Sequence, residues 1–370
     1  MERYQLLNRI GQGSFGKIYL ARDRMAKNQG EDPIVVKVCN LPPSRDEKEK
    51  CLREVSLLNE LHHPYLSHCI HSFVDSNRLC IVMPFYSGGD LGGIVKKNKA
   101  RDTRLPEPIV LQWLAQLALA LENMHWRRVL HRDIKADNVF LSKPDRGGKI
   151  VVLLGDFGIA RVLEHSGAQA QTTCGTPYYM SPELFRGVKY STKSDMWALG
   201  CVVYEMMALH VPFGANNISE LASKVLKTEP PPLPEKFSST LCAVVMSLLE
   251  KDPDKRPSAM DLLRHPMLAD NVARLLAEVT PVHISAPPKT GECAARGRRG
   301  ALELPTALDP EEQRAATQSC LSAQKARVGI GASDGVGSAM VPAPGRPATG
   351  QGRVPGVADA YMRSPPRVGK

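Results

Sequence analysis

The 370-residue chain contains no Cys-x-x-Cys pair and no His/Cys cluster at the spacing of zinc ligands. Its nine cysteines are scattered and odd in number, which fits a reducing compartment and not a disulfide framework. No apolar run approaches the ~20 residues needed to cross a bilayer, so no transmembrane helix is expected. The opening Met1-Glu2-Arg3-Tyr4-Gln5 lacks the character of a signal peptide. Aromatics are sparse at 5%, and Tyr361 is the only one in the last 90 residues. There is no internal repeat. No heptad is sustained either: Val272–Val279 spans barely one before Pro281, so coiled-coil pairing is not expected and a monomer is. These absences argue against a secreted, disulfide-framed or membrane-spanning protein. A chain of this length can bury a large core without a staple, as two units or as one bilobed domain with a tail.

What is present divides near residues 270–280. The formal net charge is +10, and from 281 onward about 12 Lys+Arg face 7 Asp+Glu. That stretch is about three times as charge-dense as the rest, and Gly plus Pro make up about a quarter of it. Such a composition buries too little apolar surface to offset ordering entropy, so 281–370 is expected to be a disordered basic tail. Its charge suits acidic partners without selecting one, and a solvated linker with no dedicated partner is the plainer reading.

Before the break, short β-branched or aromatic runs dominate the first 100 residues: Tyr4–Ile10, Lys17–Ala21, Ile34–Cys39 and Leu79–Pro84. One helix interrupts them, Asp46–Leu61, with Leu52, Val55 and Leu58 on one face. From Pro106 the pattern becomes helical, with Val110, Trp113, Leu114, Leu117, Leu121 and Met124 at three- and four-residue spacing. Ser194–Met207 is apolar nearly all round, as a fully buried helix is. The expected class is α+β: a small β-rich lobe over about 4–86, a larger helical lobe over about 87–268, and a short helical extension at 269–280. A cleft between lobes is the natural ligand site.

Four motifs carry chemistry. Gly11-Gln12-Gly13-Ser14-Phe15-Gly16 has the GxGxxG spacing of a phosphate loop, which a dinucleotide-binding turn or a chance loop also satisfies. A dinucleotide loop opens a helix, whereas Lys17-Ile18-Tyr19-Leu20 alternates like a strand, so the run reads as a hairpin tip. Lys37 sits inside the apolar strand Ile34–Val38, where an ammonium calls for a partner unless it snorkels from an edge. Glu54 in the following helix is the candidate, although Glu47, Glu49 and Glu60 share that helix. His131-Arg132-Asp133-Ile134-Lys135-Ala136-Asp137-Asn138 is followed by Asp156-Phe157-Gly158. Together they offer carboxylates and an amide suited to Mg²⁺ and to a hydroxyl nucleophile. His62, His63, His125 and His165 suggest no ligand set.

With these residues in view, 4–268 resembles the eukaryotic protein kinases. The resemblance extends to Ser181-Pro182-Glu183, Asp195-Met196-Trp197 and Arg256. Within them the chain is most similar to the NIMA-related (Nek) serine/threonine kinases, on Gly155, Val139-Phe140-Leu141 and Gly175-Thr176-Pro177-Tyr178-Tyr179-Met180. The resemblance implies a bilobed kinase fold using ATP and Mg²⁺. Gly11, Gly13 and Gly16 would cover the phosphates, and Lys37, held by Glu54, would bind the α- and β-phosphates. Asn138 and Asp156 would hold Mg²⁺, Asp133 would take the hydroxyl proton, and Lys135 would touch the γ-phosphate. Adenine would lie between Ile10, Ile18 and Phe140 against Met83, Pro84 and Tyr86, with Met83 as gatekeeper and Val35 as roof. Pro84 stands where the family has Glu, but the position needs only a backbone acceptor, which proline keeps.

The same resemblance makes 156–183 an activation segment, with Arg132 pairing phosphorylated Thr172, or else Thr173. A loop ordered without phosphate is the competing reading. Glu183, Arg256 and Asp195 are expected to be architectural. Family likeness further implies protein substrates bearing Ser or Thr, roles in the cell cycle, microtubules or cilia, and a cytoplasmic, cytoskeletal or nuclear location. A microtubule or other acidic surface would be the tail's partner. The alternative is a catalytically silent kinase-like scaffold that binds through that tail.

Overall fold

The computed structural model describes residues 1–13, 16–25, 33–142, 149–156, 177–278 and 310–329. The first lobe is an antiparallel five-stranded sheet in the order β1-β2-β3-β5-β4. Its strands are β1 (Tyr4–Gly13), β2 (Gly16–Asp23), β3 (Ile34–Asn40), β4 (His71–Asp75) and β5 (Arg78–Pro84). The glycine run is the tip of the β1–β2 hairpin, with Gly13 opposite Gly16 and register shifts on either side of Arg9. A Cβ on Gly16 would stand 2.2 Å from the Val38 carbonyl oxygen, so the hairpin can cross β3 there only with glycine.

The two-residue period of β3 sorts its side chains. Val36 and Val38 join Tyr4, Ala21, Cys80 and Val82 on one face. Lys37 and Cys39 point to the other, where α1 (Arg45–Asn59) lays Cys51, Leu52 and Val55 on Leu79 and Ile81. Lys37 therefore faces the helix side because of its register. Asp46 and Glu47 in the first turn of α1 complement the helix dipole. The strand β4 was not expected. Its run His71-Ser72-Phe73-Val74-Asp75 is half polar, and the Ser76-Asn77 turn (φ +49° and +61°) lacks the glycine that usually marks such a hairpin.

The second lobe is helical: α2 (Leu91–Ala100), α3 (Glu107–Trp126), α4 (Pro182–Phe185), α5 (Thr192–Ala208), α6 (Ile218–Lys227), α7 (Ser239–Leu248), α8 (Ala259–Leu263) and α9 (Ala269–Glu278). A small hairpin of β6 (Val139–Leu141) and β7 (Val152–Leu154) lies between α3 and α4. As its sequence implies, α5 is buried from Ser194 to Ala208 except at Glu205, with Met196, Trp197, Val202, Val203 and Tyr204 inaccessible. Its start is fixed by a capping box between Ser191 and Ser194. Among the described residues no helix is long and apolar enough to cross a membrane.

The tail departs from its expected character. Pro310–Val328 is a helix, α10, that buries Cys320, Leu321, Gln324 and Val328 against the second lobe. Composition averaged over 90 residues hides it. The 19-residue segment has proline only at its first position, Glu311 and Glu312 in its first turn and Lys325 and Arg327 in its last. Gly329 follows at φ +81°. That is the proline-first, glycine-after arrangement of a self-contained helix. Residues 279–309 and 330–370, including Ser364-Pro365, lie outside the described residues.

Candidate active site

The loop after α3 carries His131–Asn138, and buried Asp195 at the start of α5 holds it. Asp195 Oδ2 accepts from the His131 N–H (3.0 Å) and Oδ1 from the Arg132 N–H (3.0 Å). His125 Nε2 lies 2.8 Å from Oδ2, and the Tyr190 hydroxyl donates to Oδ1 at 2.6 Å. Burial pushes the Asp195 carboxyl up, but the His125 bond and the nearby imidazoles hold it below its ordinary value, so it stays ionised. These bonds keep Arg132 at φ +70°, a left-handed conformation costing about 1–3 kcal/mol for a non-glycine residue.

His131 is fully buried, which lowers its pKa and keeps the ring neutral. Nδ1 accepts from the Asp133 N–H (3.3 Å), so Nε2 carries the proton and donates to the Gly155 carbonyl (3.1 Å). Gly155 N–H in turn donates to the Asn138 carbonyl (2.9 Å). The catalytic loop and the strand leading to Asp156 are thus stitched together twice. A Cβ on Gly155 would come within 2.6 Å of the Phe140 ring and 2.9 Å of the Ser67 Cβ, so the close approach needs glycine.

Asp133 is half-exposed. Its Oδ2 accepts from Lys135 Nζ (2.9 Å) and Asn138 Nδ2 (2.9 Å), and Asn138 Nδ2 also reaches the Asp133 carbonyl (2.7 Å). Both Asn138 bonds use its nitrogen, which leaves the amide oxygen to offer lone pairs. Asp156, at φ +59°, pairs with Lys37, whose side chain is only 5% exposed. Glu54 lies on α1, but its side chain falls outside the described residues, as do Phe157 and Gly158.

A cleft of about 280 Å³ opens between the lobes. Ile10, Gly11, Ile18 and Val35 wall it from the first lobe, and Met83, Pro84, Phe85 and Tyr86 from the connection. Phe140 lies on the opposite side, stacked on Tyr86 at 5.4 Å between ring centres, and Lys37 and Asp156 close the polar end. Met83 also packs on the apolar cluster beneath α1, as a gatekeeper would. Gly13 and Gly16 sit at the hairpin tip. Asp133 and Lys135 line a second cavity of about 650 Å³ with Arg132, Asp137, Tyr179 and Glu205. Thr172, Thr173 and Cys174 lie outside the described residues.

Sequence reasoning did not find three wall residues, Ser67, Gly89 and Asp90. Gly88-Gly89-Asp90 carries a legible turn-and-cap signal, and Asp90 caps α2 through the Gly93 N–H (2.7 Å). Ser67 has no local signal. It reaches the cleft from the loop after α1, where it accepts from the Tyr86 hydroxyl (3.1 Å).

A glycine hairpin over an interlobe cleft, a strand lysine paired to an aspartate and a braced catalytic loop define a kinase catalytic domain. The family model of the protein kinase domain matches residues 4–268, and the chain belongs to that family. Among curated proteins it is similar to the human serine/threonine-protein kinase Nek5, 39% identical over 276 residues that cover 75% of this chain and 38% of that protein. It is similar too to the mouse Nek5, at 40% over 75% of this chain and 42% of the other. The human serine/threonine-protein kinase Nek11 matches at 38%, over 74% and 42%. The chain spans about two-fifths of the length of these relatives.

Proposed function

We propose that the chain is an ATP-dependent protein kinase that phosphorylates serine and threonine hydroxyls of proteins. The observation that carries this reading is the hydrogen-bonded set joining Asp133 and Asn138, through Gly155, to Asp156 and Lys37. Phosphoryl transfer asks a protein for positioning and charge neutralisation more than for covalent chemistry. Buried Lys37 is a fixed cation for the α- and β-phosphates. The Asp156 carboxylate and the Asn138 amide oxygen form a hard-oxygen donor pair that fits Mg²⁺. The ion, when held there, supplies charge neutralisation at the phosphates. Asp133 takes the proton of the attacking hydroxyl, and Lys135 beside it presents a cation to the transferred group.

The placement of Lys135 two residues after Asp133, with the serine/threonine kinases among the relatives, supports the choice of acceptor. Matched peptides carrying Ser, Thr or Tyr at one position test it. Label on Ser and Thr peptides alone is expected, and transfer to the Tyr peptide at a comparable rate would overturn it. Nothing favours the silent scaffold, since Lys37, Asp133, Asn138 and Asp156 are all in place.

Regulation by activation-segment phosphorylation is part of the same proposal. Arg132 is exposed at the second cavity and forms no ion pair with a described carboxylate, which suits it to a phosphate. Thr172→Ala is expected to lower kcat, and full activity would show that the segment orders without phosphate. Likeness to Nek kinases is the support for a role in the cell cycle, at microtubules or at cilia.

A further inference from the structure

α10 covers the part of α3 that bears Glu122 and Asn123, both buried, and leaves the neighbouring Trp126 59% exposed. Glu122 is charged and its side chain only 5% exposed. Its partners among the described residues all come from the tail: Arg327 Nε to Oε1 (2.9 Å), and Arg327 Nη2 (3.0 Å) and Gln324 Nε2 (2.8 Å) to Oε2. A buried carboxylate without such partners carries a heavy desolvation penalty. The Arg327 guanidinium lies 4.4 Å over the Trp126 ring, and Asn123 donates to the Cys320 sulfur. Arg264 holds the Arg327 carbonyl at 2.8 Å, so the end of α10 is fixed as well.

Gln324 is fully buried and leads to the ATP site. Its Nε2 also donates to the Leu119 carbonyl (2.8 Å), and its Oε1 meets His63 Nε2 at 3.1 Å. His63 Nδ1 accepts from the Tyr65 N–H (3.3 Å), so Nε2 carries the proton and donates to Gln324. Burial pushes the His63 pKa down to about 4, which keeps the ring in this neutral form. The same loop then grips β7. Leu154 N–H donates to the Tyr65 carbonyl (2.9 Å), and Ser67 N–H to the Leu154 carbonyl (2.8 Å). Leu154 is two residues before Asp156. An unbroken set of bonds thus runs from the tail helix through His63 and Tyr65 to the strand that presents Asp156.

We infer that α10 is an intramolecular latch: docked on α3 through Arg327 and Gln324, it steadies the His63–Ser67 loop and thereby the grip of Asp156 and Lys37 on Mg-ATP. This goes beyond the proposed catalysis, because docking can be read without any phosphoryl transfer. Tethering through 279–309 gives the helix an effective local concentration on the order of millimolar, so modest contacts suffice to keep it seated.

The test uses the full chain and its Arg327→Glu variant, which sets a second carboxylate against Glu122 from a helix outside the catalytic domain. Iodoacetamide alkylation of Cys320, followed by peptide mass mapping, reads docking, because Cys320 is buried by the contact. Alkylation at least about tenfold faster in the variant is expected, since protection is lost with the contact that provides it. The Kd for Mg-ATP should rise about threefold or more, while the catalytic domain still unfolds in one cooperative transition, its midpoint lowered only by the docking it has lost. Gln324→Ala should act in the same direction, and Arg327→Lys should retain most protection. Cys320 alkylated equally fast in wild type and variant would overturn the docking. Faster alkylation with an unchanged Kd would overturn the coupling to Asp156. Protection that fades on dilution would place a second copy's helix in the groove and overturn the intramolecular latch.

Discussion

Asp133→Asn lowers kcat by about 10²–10⁴-fold, the range for a positioned base, and leaves the KM for ATP close to wild type. The split follows from the geometry. Asp133 lines the second cavity with Lys135 and takes no part in the walls of the nucleotide cleft, so its loss should be felt in transfer and not in nucleotide binding. Asparagine keeps the shape and can still accept from Lys135 and Asn138, but it cannot take a proton. The neighbours stay placed, because the backbone of the loop is held by Asp195 and not by the Asp133 side chain. Steady-state kinetics on a Ser peptide measure both parameters. A variant with wild-type kcat would remove Asp133 from the role of base, and a loss confined to the KM for ATP would make it a nucleotide-binding residue.

Arg256→Met destabilises the catalytic domain by about 3–5 kcal/mol, the cost of stranding one partner of a buried ion pair. Arg256 is inaccessible, and its two terminal nitrogens meet the Glu183 carboxylate at 3.0 and 3.1 Å. Nε donates to the Glu250 carbonyl (3.0 Å), and the guanidinium lies over Trp197 at 5.1 Å. The arginine thus joins α4, the loop before α8 and the central helix α5. Burial alone would raise the Glu183 carboxyl. The Arg256 bonds and the Ser194 hydroxyl outweigh it and hold the pKa below 4.5. A depressed carboxylate pKa contributes stability above its unfolded value and loses that contribution as pH falls through the folded value. The penalty in Arg256→Met should therefore be largest at neutral pH and shrink as the pH falls, first as the stranded glutamate, raised by burial once Arg256 is gone, takes a proton, and then as wild type loses the contribution of its own depressed carboxylate. Urea unfolding at pH 7 and pH 4 measures it. A loss under about 1 kcal/mol at pH 7 would contradict the architectural role.

The chemistry was legible in the sequence wherever it is local. Lys37 reads as an anomaly inside an apolar strand, and the spacing from Asp133 through Asn138 to Asp156 reads as a phosphoryl-transfer set. The burial of α5 follows from its all-round apolar face. What could not be read is what depends on distant pairing. Ser67 becomes a cleft wall only when Tyr86 folds over it. The half-polar β4 exists because β5 offers it a ladder. Nothing local marks Glu122 as buried, because its partner Arg327 lies 205 residues further along the chain. The tail helix shows why averaging misleads: its proline start, acidic first turn and basic last turn were present within a glycine- and proline-rich stretch.

The most direct test of the central claim is phosphate transfer from Mg-ATP to a Ser/Thr protein substrate by wild type and by Asp156→Asn. The substitution keeps the shape at Asp156 but removes the charge that pairs Lys37 and would face the metal. Transfer by wild type that disappears in the variant is the expected result and places catalysis in this chain. Equal transfer by both proteins, or none from wild type even with phosphate installed on the activation segment, would contradict it.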